Sequence, residues 1–247
     1  MQTLLVLPVR MGSTRLPGKP LAQIAGRSML ARMIAIAQEA NCGPVLVACA
    51  ETELVAAAHA EGAQAVLTDP ALPSGSDRVW AAAAGRPEAL IVNVQADMPS
   101  LEPGAIRQVL ALLHIDPMAD IASLASPSHE AHDRDNPHVV KVAASFDRAH
   151  AGTNTGRALY FSRAGIPHGP GPIYRHVGLY AYRRAALQRF VEAGPSPLEL
   201  RERLEQLRAL ELGLTIAIGC VDDFPKGVDT PADLAAMRAH FEKGQGA

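Results

Sequence analysis

The chain has 247 residues, of which 48% are hydrophobic and 19% are charged. This balance is typical of a globular protein and excludes a disordered one. With 23 basic and 25 acidic residues the net charge is -2, so there is no global positive field to bind nucleic acid or an anionic membrane, and any anion site must be local.

The cysteines and the apolar segments indicate in which cellular compartment the protein is expected. Cys42, Cys49 and Cys220 are odd in number and lack metal-type spacing, which argues against a disulfide framework and a zinc site. Met1 leads almost directly into LLVLPV without a cationic leader, and no stretch is apolar for long enough to span a bilayer. We therefore expect a cytoplasmic protein with neither a nucleic-acid nor a membrane partner.

The first half of the chain alternates short apolar runs with helical patterns. The runs are LLVLPV at 4–9, VLVACA at 45–50, AVL at 65–67 and LIVNVQ at 90–95. Between them lie SMLARMIAIAQEA, a segment TELVAAAHAEG with Thr52 as its expected N-cap and Gly62 as its stop, and PGAIRQVLALL. This rhythm predicts βαβ units that form a mostly parallel sheet.

The second half is less regular but still contains strand-like runs. These are VVKVAA at 139–144, ALYF at 158–161, HVGLYAY at 176–182 and TIAIGC at 215–220. Two of them are expected to extend the main sheet and the others to form a small antiparallel region. Dense glycine and proline between Gly165 and Pro172 indicate a loop inside one domain and not a linker, so we expect a single domain over 1–247.

The loop after the first predicted strand is basic and rich in glycine. Its sequence, RMGSTRLPGKP, carries Arg10, Arg15 and Lys19 together with Gly12 and Gly18. In α/β sheets ligands bind beyond the carboxyl ends of strands. Arginine and lysine bind phosphate oxygens, and glycines expose backbone N–H groups to an anion. A merely solvated loop is disfavoured, because three crowded cations need an anion to offset their repulsion, and the sequence therefore predicts a polyphosphate site.

This loop matches neither of the two familiar phosphate motifs. A Walker loop has four residues between its glycines and Ser or Thr after its lysine. Here five residues separate Gly12 from Gly18, and Pro20 follows Lys19. The dinucleotide fingerprint G-x-G-x-x-G is also missing from the loop.

Two carboxylates are candidates for binding Mg²⁺. Asp97 follows the apolar run LIVNVQ and Ala96, at the same sheet edge as the basic loop. Asp229 lies in GVDTPADL, where Thr230 is the expected N-cap of a helix. Carboxylate oxygens hold Mg²⁺, which also bridges to substrate phosphates. The alternative for Asp229 is a plain turn residue before the helix, because aspartate favours turns.

With these segments identified, the sequence resembles the 3-deoxy-manno-octulosonate (Kdo) cytidylyltransferases over nearly its entire length. The first loop alone indicates only a sugar-nucleotide transferase, whereas the ordered set is far more specific. The matching stretches are STRLPGKP at 13–20, PSGSDR at 73–78, NVQAD at 93–97, NPHVVKV at 136–142, ALYFSR at 158–163, HVGLYAYR at 176–183, PSPLE and LEQLRAL within 195–210, and GVDTPADL at 227–234.

The resemblance implies an α/β fold with a doubly wound, mostly parallel sheet and a smaller sheet region at a homodimer interface. It also implies CTP, an acidic eight-carbon sugar and Mg²⁺, in a reaction that gives CMP-Kdo and pyrophosphate for lipopolysaccharide biosynthesis. The implied CTP-binding residues are Arg10, Ser13, Lys19, Ser74, Gly75, Arg78 and Gln95. The implied metal ligands are Asp97 and Asp229, which with Arg10 and Lys19 form the catalytic set. The implied sugar-binding residues are Arg15, Gln95, Arg163, His176, Tyr180, Glu205 and Gln206.

Several of these residues have a structural alternative. Arg163 follows an apolar strand and is as suited to a structural ion pair as to the sugar carboxylate. His176 could be a satisfied histidine of the strand. Glu205 and Gln206 lie on a predicted helix, PLELRERLEQLRALE, whose leucines have helical spacing, and their alternative is a solvated helix face.

The metal-site motif departs from the family pattern at two positions. Ala96 stands where the family commonly has glycine, which is harmless only if this position has a negative φ. Met98 replaces a carboxylate of some members, so that carboxylate cannot be an essential ligand here. The open functional alternatives are a cytidylyltransferase for sialic acid or for an amino variant of Kdo, and a non-catalytic nucleotide-sugar binding protein. No residue is predicted as the general base.

Overall fold

A computed structural model describes residues 1–146 and 155–244. The strands are β1 (Thr3–Val9), β2 (Gln23–Ile24), β3 (Arg27–Ser28), β4 (Val45–Cys49), β5 (Gln64–Leu67), β6 (Leu90–Val94), β7 (Ile121–Ser128), β8 (Lys141–Phe146), β9 (Thr155–Ser162), β10 (Ile173–Arg183) and β11 (Ile216–Cys220). The helices are α1 (Met29–Glu39), α2 (Thr52–Ala60), α3 (Gly75–Ala83), α4 (Pro103–Ile115), α5 (Ala131–Asp135), α6 (Arg184–Glu192), α7 (Pro197–Glu202), α8 (Gln206–Glu211) and α9 (Pro231–Gly244).

The chain divides into two compact units. Unit 1 comprises Met1–Ile106 and Pro225–Ala247, and unit 2 comprises Arg107–Phe224. None of the helices in the described ranges is long and apolar enough to cross a membrane. The expected organisation as a single domain over 1–247 stays a prediction.

Unit 1 is built on four parallel strands in the order β5, β4, β1, β6. The central strands are almost entirely buried, which explains why they occur in the sequence as continuous apolar runs without polar alternation. The four predicted strands of the first half are confirmed. Because the strands are parallel, the residues that follow β1, β4 and β6 share one edge of the sheet.

Capping residues mark the start of α1 and the end of α2 in unit 1. Ser28 caps α1, its hydroxyl accepting a hydrogen bond from the amide of Ala31 at 3.1 Å. Gly62, with φ of 72°, follows α2, and its amide donates to the carbonyl of His59, as expected for a helix stop. The predicted N-cap of α2 is wrong by one residue, because Thr52 is already helical and Glu51 occupies the cap position.

Unit 2 contains a mixed five-stranded sheet in the order β10, β7, β11, β9, β8. β7 is parallel to β11 and antiparallel to β10, while β9 is antiparallel to both β11 and β8. The four strands predicted in the second half are confirmed. The interior strand β7 was not predicted, because its sequence IASLASPS is rich in small residues and contains a proline, although seven of its eight residues are buried.

The predicted single helix over 197–211 is wrong. Arg203 has left-handed φ and ψ values of 57° and 47°, which ends α7 before α8 begins. The expected leucine stripe is therefore interrupted, with Leu200 66% exposed while Leu204 and Leu207 are buried. An ion pair holds the two short helices together, with Arg208 NH2 2.6 Å from Glu199 Oε1.

Candidate active site

The basic loop of unit 1 is folded around the peptide of Met11. The Met11 carbonyl accepts hydrogen bonds from the amides of Ser13 at 2.8 Å and Gly18 at 3.3 Å. The Ser13 hydroxyl accepts from the amide of Leu16 at 3.2 Å. Gly18 has φ of 70° and leads into a short 3₁₀ turn at Lys19–Leu21. These bonds fold the loop back on itself, so that its cations surround one space.

The ammonium of Lys19 lies between the two candidate metal ligands. Its Nζ is 2.9 Å from Asp97 Oδ2 and 3.0 Å from Asp229 Oδ1. Arg15 NH2 lies 3.1 Å from the other oxygen, Asp229 Oδ2. Burial disfavours the ammonium, but the two carboxylates outweigh that effect and raise the pKa of Lys19 above its ordinary value of 10.5. Both carboxylates are therefore directed at one position, which a cation occupies.

Backbone contacts bring the two carboxylates together although they are far apart in sequence. The amide of Val228 donates to the carbonyl of Asp97 at 2.9 Å, and the Val228 side chain is buried in a core cluster that includes Leu234 and Met237 of α9. Asp229 follows directly. The position of Asp229 is thus fixed by the packing of α9 and by a direct bond to the Asp97 peptide.

The start of α9 is capped as the sequence predicts. The amide of Asp233 donates to the hydroxyl of Thr230 at 3.2 Å, and Asp233 Oδ2 accepts from the amides of Thr230 and Asp229 at 2.8 and 3.1 Å. Burial alone would raise the pKa of Asp233, but these hydrogen bonds and that of the Thr230 hydroxyl outweigh it and lower the pKa. Asp233 therefore holds the backbone of Asp229, whose own carboxylate faces Lys19.

A cavity of about 260 Å³ lies over this cluster. A second cavity of about 250 Å³ shares Pro8, Val9, Arg10, Gln95 and Asp97 with the first. The predicted residues that line the first cavity are Arg10, Ser13, Arg15, Lys19, Gln95, Asp97 and Asp229. Those that line the second are Arg10, Ser74, Gly75, Arg78, Gln95 and Asp97. Unit 1 thus brings its ten predicted site residues into two cavities with shared walls.

The second cavity lies at the start of α3. Ser74 is the N-cap, its hydroxyl accepting from the amide of Asp77 at 3.1 Å. Arg78 is almost fully buried and donates to the hydroxyl of Thr68 and to the carbonyl of Asp69. Neither α3 nor the support given by Thr68 was predicted from the sequence, although Ser74 and Asp77 have the spacing of a capping pair. Arg78 is therefore held rigidly by its neighbours.

The replacement of glycine by Ala96 causes no backbone conflict. Within the described ranges, the non-glycine residues with positive φ are Ala25, Asn41 and Arg203. Ala96 therefore has a negative φ, which alanine adopts without strain. Met98, at the other departure, is 7% exposed and belongs to the apolar core.

Within unit 2, the Arg163 side chain is bound to the backbone. It donates to the carbonyls of Glu202, Pro137 and Arg203 at 2.9, 2.9 and 3.2 Å. Three of the five N–H groups of its guanidinium are used in these bonds. Its carbonyl accepts from Lys141 Nζ at 2.8 Å. Arg163 thus has a clear structural role, and its contact with the sugar stays a prediction.

His176 and Tyr180 are both buried on β10. His176 Nε2 lies 2.9 Å from the Ser123 hydroxyl, and its ring packs against Phe161 and Tyr180 at centroid distances of 4.9 and 5.4 Å. Burial lowers the pKa of His176 to about 3 and raises that of Tyr180. Both side chains are therefore uncharged at neutral pH, and their role toward the sugar stays a prediction.

Glu205 and Gln206 lie at the junction of α7 and α8, where a single continuous helix was predicted. Glu205 occupies the N-cap position of α8, and Gln206 is the first residue of that helix and 6% exposed. Neither residue therefore belongs to the solvated face of a continuous helix, which was their alternative. Their contact with the sugar stays a prediction.

Known proteins resemble the whole chain. A family model described as "Cytidylyltransferase" matches residues 4–216. The 3-deoxy-manno-octulosonate cytidylyltransferase of Parvibaculum lavamentivorans is 53% identical over 240 residues, covering 96% of this chain and 91% of the relative. The chain belongs to the 3-deoxy-manno-octulosonate cytidylyltransferase family. The relative of that name from Rhodospirillum centenum is 51% identical, covering 99% of this chain and 95% of its own length.

A solved structure supports the same family. That structure, of CMP:2-keto-3-deoxy-manno-octonic acid synthetase complexed with CTP, is similar to this chain with a TM-score of 0.91 and 32% identity. The similarity covers 99% of this chain and 100% of the other. The resemblance drawn from the motifs, the α/β fold class and the nucleotidyltransferase class of the enzyme are confirmed. The predicted sheet at a dimer interface stays a prediction.

Proposed function

We propose that this protein transfers the cytidylyl group of CTP to Kdo, giving CMP-Kdo and pyrophosphate. The observation that carries the proposal is the convergence of Asp97 and Asp229 on Lys19 Nζ, at 2.9 and 3.0 Å, inside the cavity of the basic loop. A polyphosphate needs cations of this kind, and the metal that accompanies it needs the carboxylates. Family membership supports CTP as the nucleotide and Kdo as the sugar.

The residues of this cavity fit Mg²⁺. Two carboxylate oxygens from distant parts of the chain already face one cationic nitrogen. The described residues contain no group of three or more His, Cys, Asp or Glu that could hold a metal, but Mg²⁺ is commonly bound by one or two carboxylates, with waters and substrate phosphates completing its shell. When bound, Mg²⁺ would neutralise phosphate charge and polarise the reacting groups. We propose Asp97 and Asp229 as its protein ligands.

The reaction we propose is an in-line displacement at the α-phosphate of CTP. The anomeric C2 hydroxyl of Kdo forms a new O–P bond and releases its proton to water, while the bond to the β-phosphate breaks and its electron pair leaves with pyrophosphate. Arg10 and Lys19 would stabilise the charge that develops on the leaving group. Ser13 would bind the triphosphate beside them. Fixed donors of this kind lower the barrier because they need no reorganisation during the reaction.

The second cavity is the proposed site of the nucleoside. Ser74, Gly75 and Arg78 would border the cytosine, with Gln95 between the nucleotide and the sugar. Support comes from the rigidity of these residues, because Ser74 caps α3 and Arg78 is bound to Thr68 and Asp69. Arg10 and Gln95 line both cavities, so one nucleotide could bind along their shared wall.

The proposed sugar-binding residues supply the groups that an acidic sugar needs. Arginine binds a carboxylate, and amide, phenol and imidazole groups bind hydroxyls. Arg15 has a side chain that is 57% exposed, and Arg163 keeps two N–H groups beyond its three backbone bonds. The other proposed residues are Gln95, His176, Tyr180, Glu205 and Gln206.

We also propose that the protein acts in the cytoplasm as a homodimer. Leu159 on β9 is an apolar side chain that is 53% exposed, and we propose it as a contact with the second copy. Light scattering coupled to size exclusion tests the dimer. A Leu159→Lys variant that elutes as a monomer supports this interface, whereas an unchanged dimer places the interface elsewhere.

A comparison of sugars tests the proposed reaction. Pyrophosphate release is measured with CTP, Mg²⁺ and, in parallel, Kdo, an amino variant of Kdo or sialic acid. The proposal expects kcat/KM to be highest for Kdo by at least about tenfold, which requires only about 1.4 kcal/mol of differential transition-state binding. A higher kcat/KM for another acid would reassign the sugar. Absence of release with all three under saturating conditions would refute the enzyme activity.

A further inference from the structure

Glu51 is not part of the basic loop but makes a hydrogen bond to it. Oε2 of Glu51 accepts a hydrogen bond from the amide of Met11 at 3.1 Å. The carbonyl of the same Met11 accepts from the amides of Ser13 and Gly18. The backbone of Met11 is thus bonded through its carbonyl to Ser13 and Gly18 of the loop and through its amide to Glu51.

Glu51 is itself fixed by the sheet of unit 1. It is separated from the end of β4 by Ala50 alone, and the amide of Ala50 donates to the carbonyl of Val9 at 3.0 Å, joining the ends of β4 and β1. Glu51 occupies the N-cap position of α2, but its side chain makes no capping hydrogen bond there. The carboxylate is therefore directed at the loop and not at its own helix.

We propose that Glu51 is a positioning residue for the triphosphate. By holding the Met11 peptide it fixes the loop that presents Ser13 and Lys19, and it does so without touching the substrate. A carboxylate suits this role because a charge-assisted hydrogen bond to a backbone amide is stronger than a neutral one. This inference rests on the proposed function, because it assumes that the loop binds the phosphates of CTP.

A competing role for Glu51 would act through Arg78. Burial lowers the pKa of Arg78, and the negative charge of Glu51 acts in the opposite direction. If Glu51 mainly balances the charge of Arg78, then its removal should disturb the nucleoside cavity. The two roles therefore differ in whether the loss of Glu51 weakens the binding of phosphates or of the base.

Calorimetric titration with CTP and with cytidine, which has no phosphates, separates these roles. Glu51→Ala is expected to weaken CTP binding about tenfold, the effect of losing one charge-assisted hydrogen bond, and to leave cytidine binding unchanged. Glu51→Gln keeps an oxygen acceptor and should restore CTP affinity to within about threefold of wild type. Glu53→Ala is the matched control, because Glu53 is an exposed acid in the first turn of the same helix.

Equal weakening of CTP and cytidine in Glu51→Ala, or no weakening of CTP, overturns the proposal. A wild-type protein that does not bind CTP refutes the proposed function itself, and the inference fails with it. Hydrogen exchange adds a readout that needs no ligand: peptides covering 10–18 should exchange faster in Glu51→Ala than in Glu53→Ala. If the alanine variant does not fold, hydrogen exchange is compared between Glu51→Gln and Glu53→Ala. Exchange of residues 10–18 should still be faster in Glu51→Gln, because an amide oxygen is a weaker acceptor than a carboxylate. Unchanged exchange would contradict the proposal.

Discussion

Lys19 and its two carboxylate partners form the proposed catalytic centre of unit 1. The Lys19 side chain is only 16% exposed, and its ammonium faces Asp97 and Asp229 at hydrogen-bond distance. These three residues come from three distant segments, and each follows or precedes a regular element that fixes its backbone. All three could be predicted from the sequence, because Lys19 belongs to a basic, glycine-rich loop, Asp97 follows an apolar run and Asp229 precedes a helix cap. The sequence could not show that they meet at one nitrogen, which depends on the Val228 bond to Asp97.

Replacing Asp97 tests whether this centre is catalytic. Asp97→Asn keeps the size of the side chain but removes the charge, and we expect turnover to fall at least about a hundredfold, because metal clamping supplies several kcal/mol. Steady-state pyrophosphate release measures the change, and circular dichroism checks that the variant folds. Asp223→Asn, an exposed aspartate of the other unit, should retain full activity. Near-normal turnover of Asp97→Asn would remove Asp97 from the metal site.

The burial of His176 predicts how the free energy of unfolding changes with pH. Burial lowers the pKa of His176 from 6.5 to about 3. Between these values the unfolded chain binds a proton that the folded chain excludes, so the free energy of unfolding rises with pH across this window. Urea unfolding near pH 6 and pH 5 should show a loss of about 1 kcal/mol on acidification in the wild type that His176→Asn lacks. His129→Asn, an exposed histidine, is the control. Equal pH slopes for wild type and His176→Asn would mean that His176 is solvated.

At the scale of elements, sequence patterns predicted the strands that are buried on both faces. They did not predict the helix boundaries that depend on tertiary contacts. The strands β1, β4 and β6 were evident because strands buried on both faces are continuously apolar. α3 was missed because its first turn is GSDR, with little apolar periodicity. The helix over 197–211 was predicted as continuous because its leucine spacing is helical, whereas Arg203 breaks it. The carbonyls of Glu202 and Arg203 at this break bind Arg163, a tertiary contact that no local pattern contains.

The break at Arg203 predicts opposite effects of glycine at two neighbouring arginines. Arg203 has a left-handed φ of 57° and an exposed side chain, so Arg203→Gly relieves backbone strain and should raise the free energy of unfolding by about 0.5–1 kcal/mol. Arg201 is exposed within α7, so Arg201→Gly should lower it by about 1 kcal/mol. Thermal or urea unfolding measures both. Similar destabilisation by the two changes would indicate a continuous right-handed helix through residue 203.

At the scale of the whole molecule, the two units contain different sets of proposed site residues. Unit 1 contains the two cavities and the proposed CTP and metal residues. Unit 2 contains most of the proposed sugar residues, directly after β9, on β10 and at the junction of α7 with α8. The basic loop and Asp97 of unit 1 were predictable because they follow the carboxyl ends of parallel strands, and Asp229 because it precedes a helix cap. The roles of Ser74, Gly75, Arg78 and Gln95 were implied by family resemblance. The site residues of unit 2 were also implied by family resemblance alone, because a mixed sheet has no such edge rule.

The most direct test of the central claim is to identify the product by ³¹P nuclear magnetic resonance. The protein is incubated with CTP, Kdo and Mg²⁺, and the signals of the sugar phosphodiester and of pyrophosphate are followed over time. The account predicts that both signals appear together in equal amounts, and only when all three components are present. CTP that binds but remains intact at saturating Kdo and Mg²⁺ would contradict the account and indicate a nucleotide-binding protein without cytidylyltransferase activity.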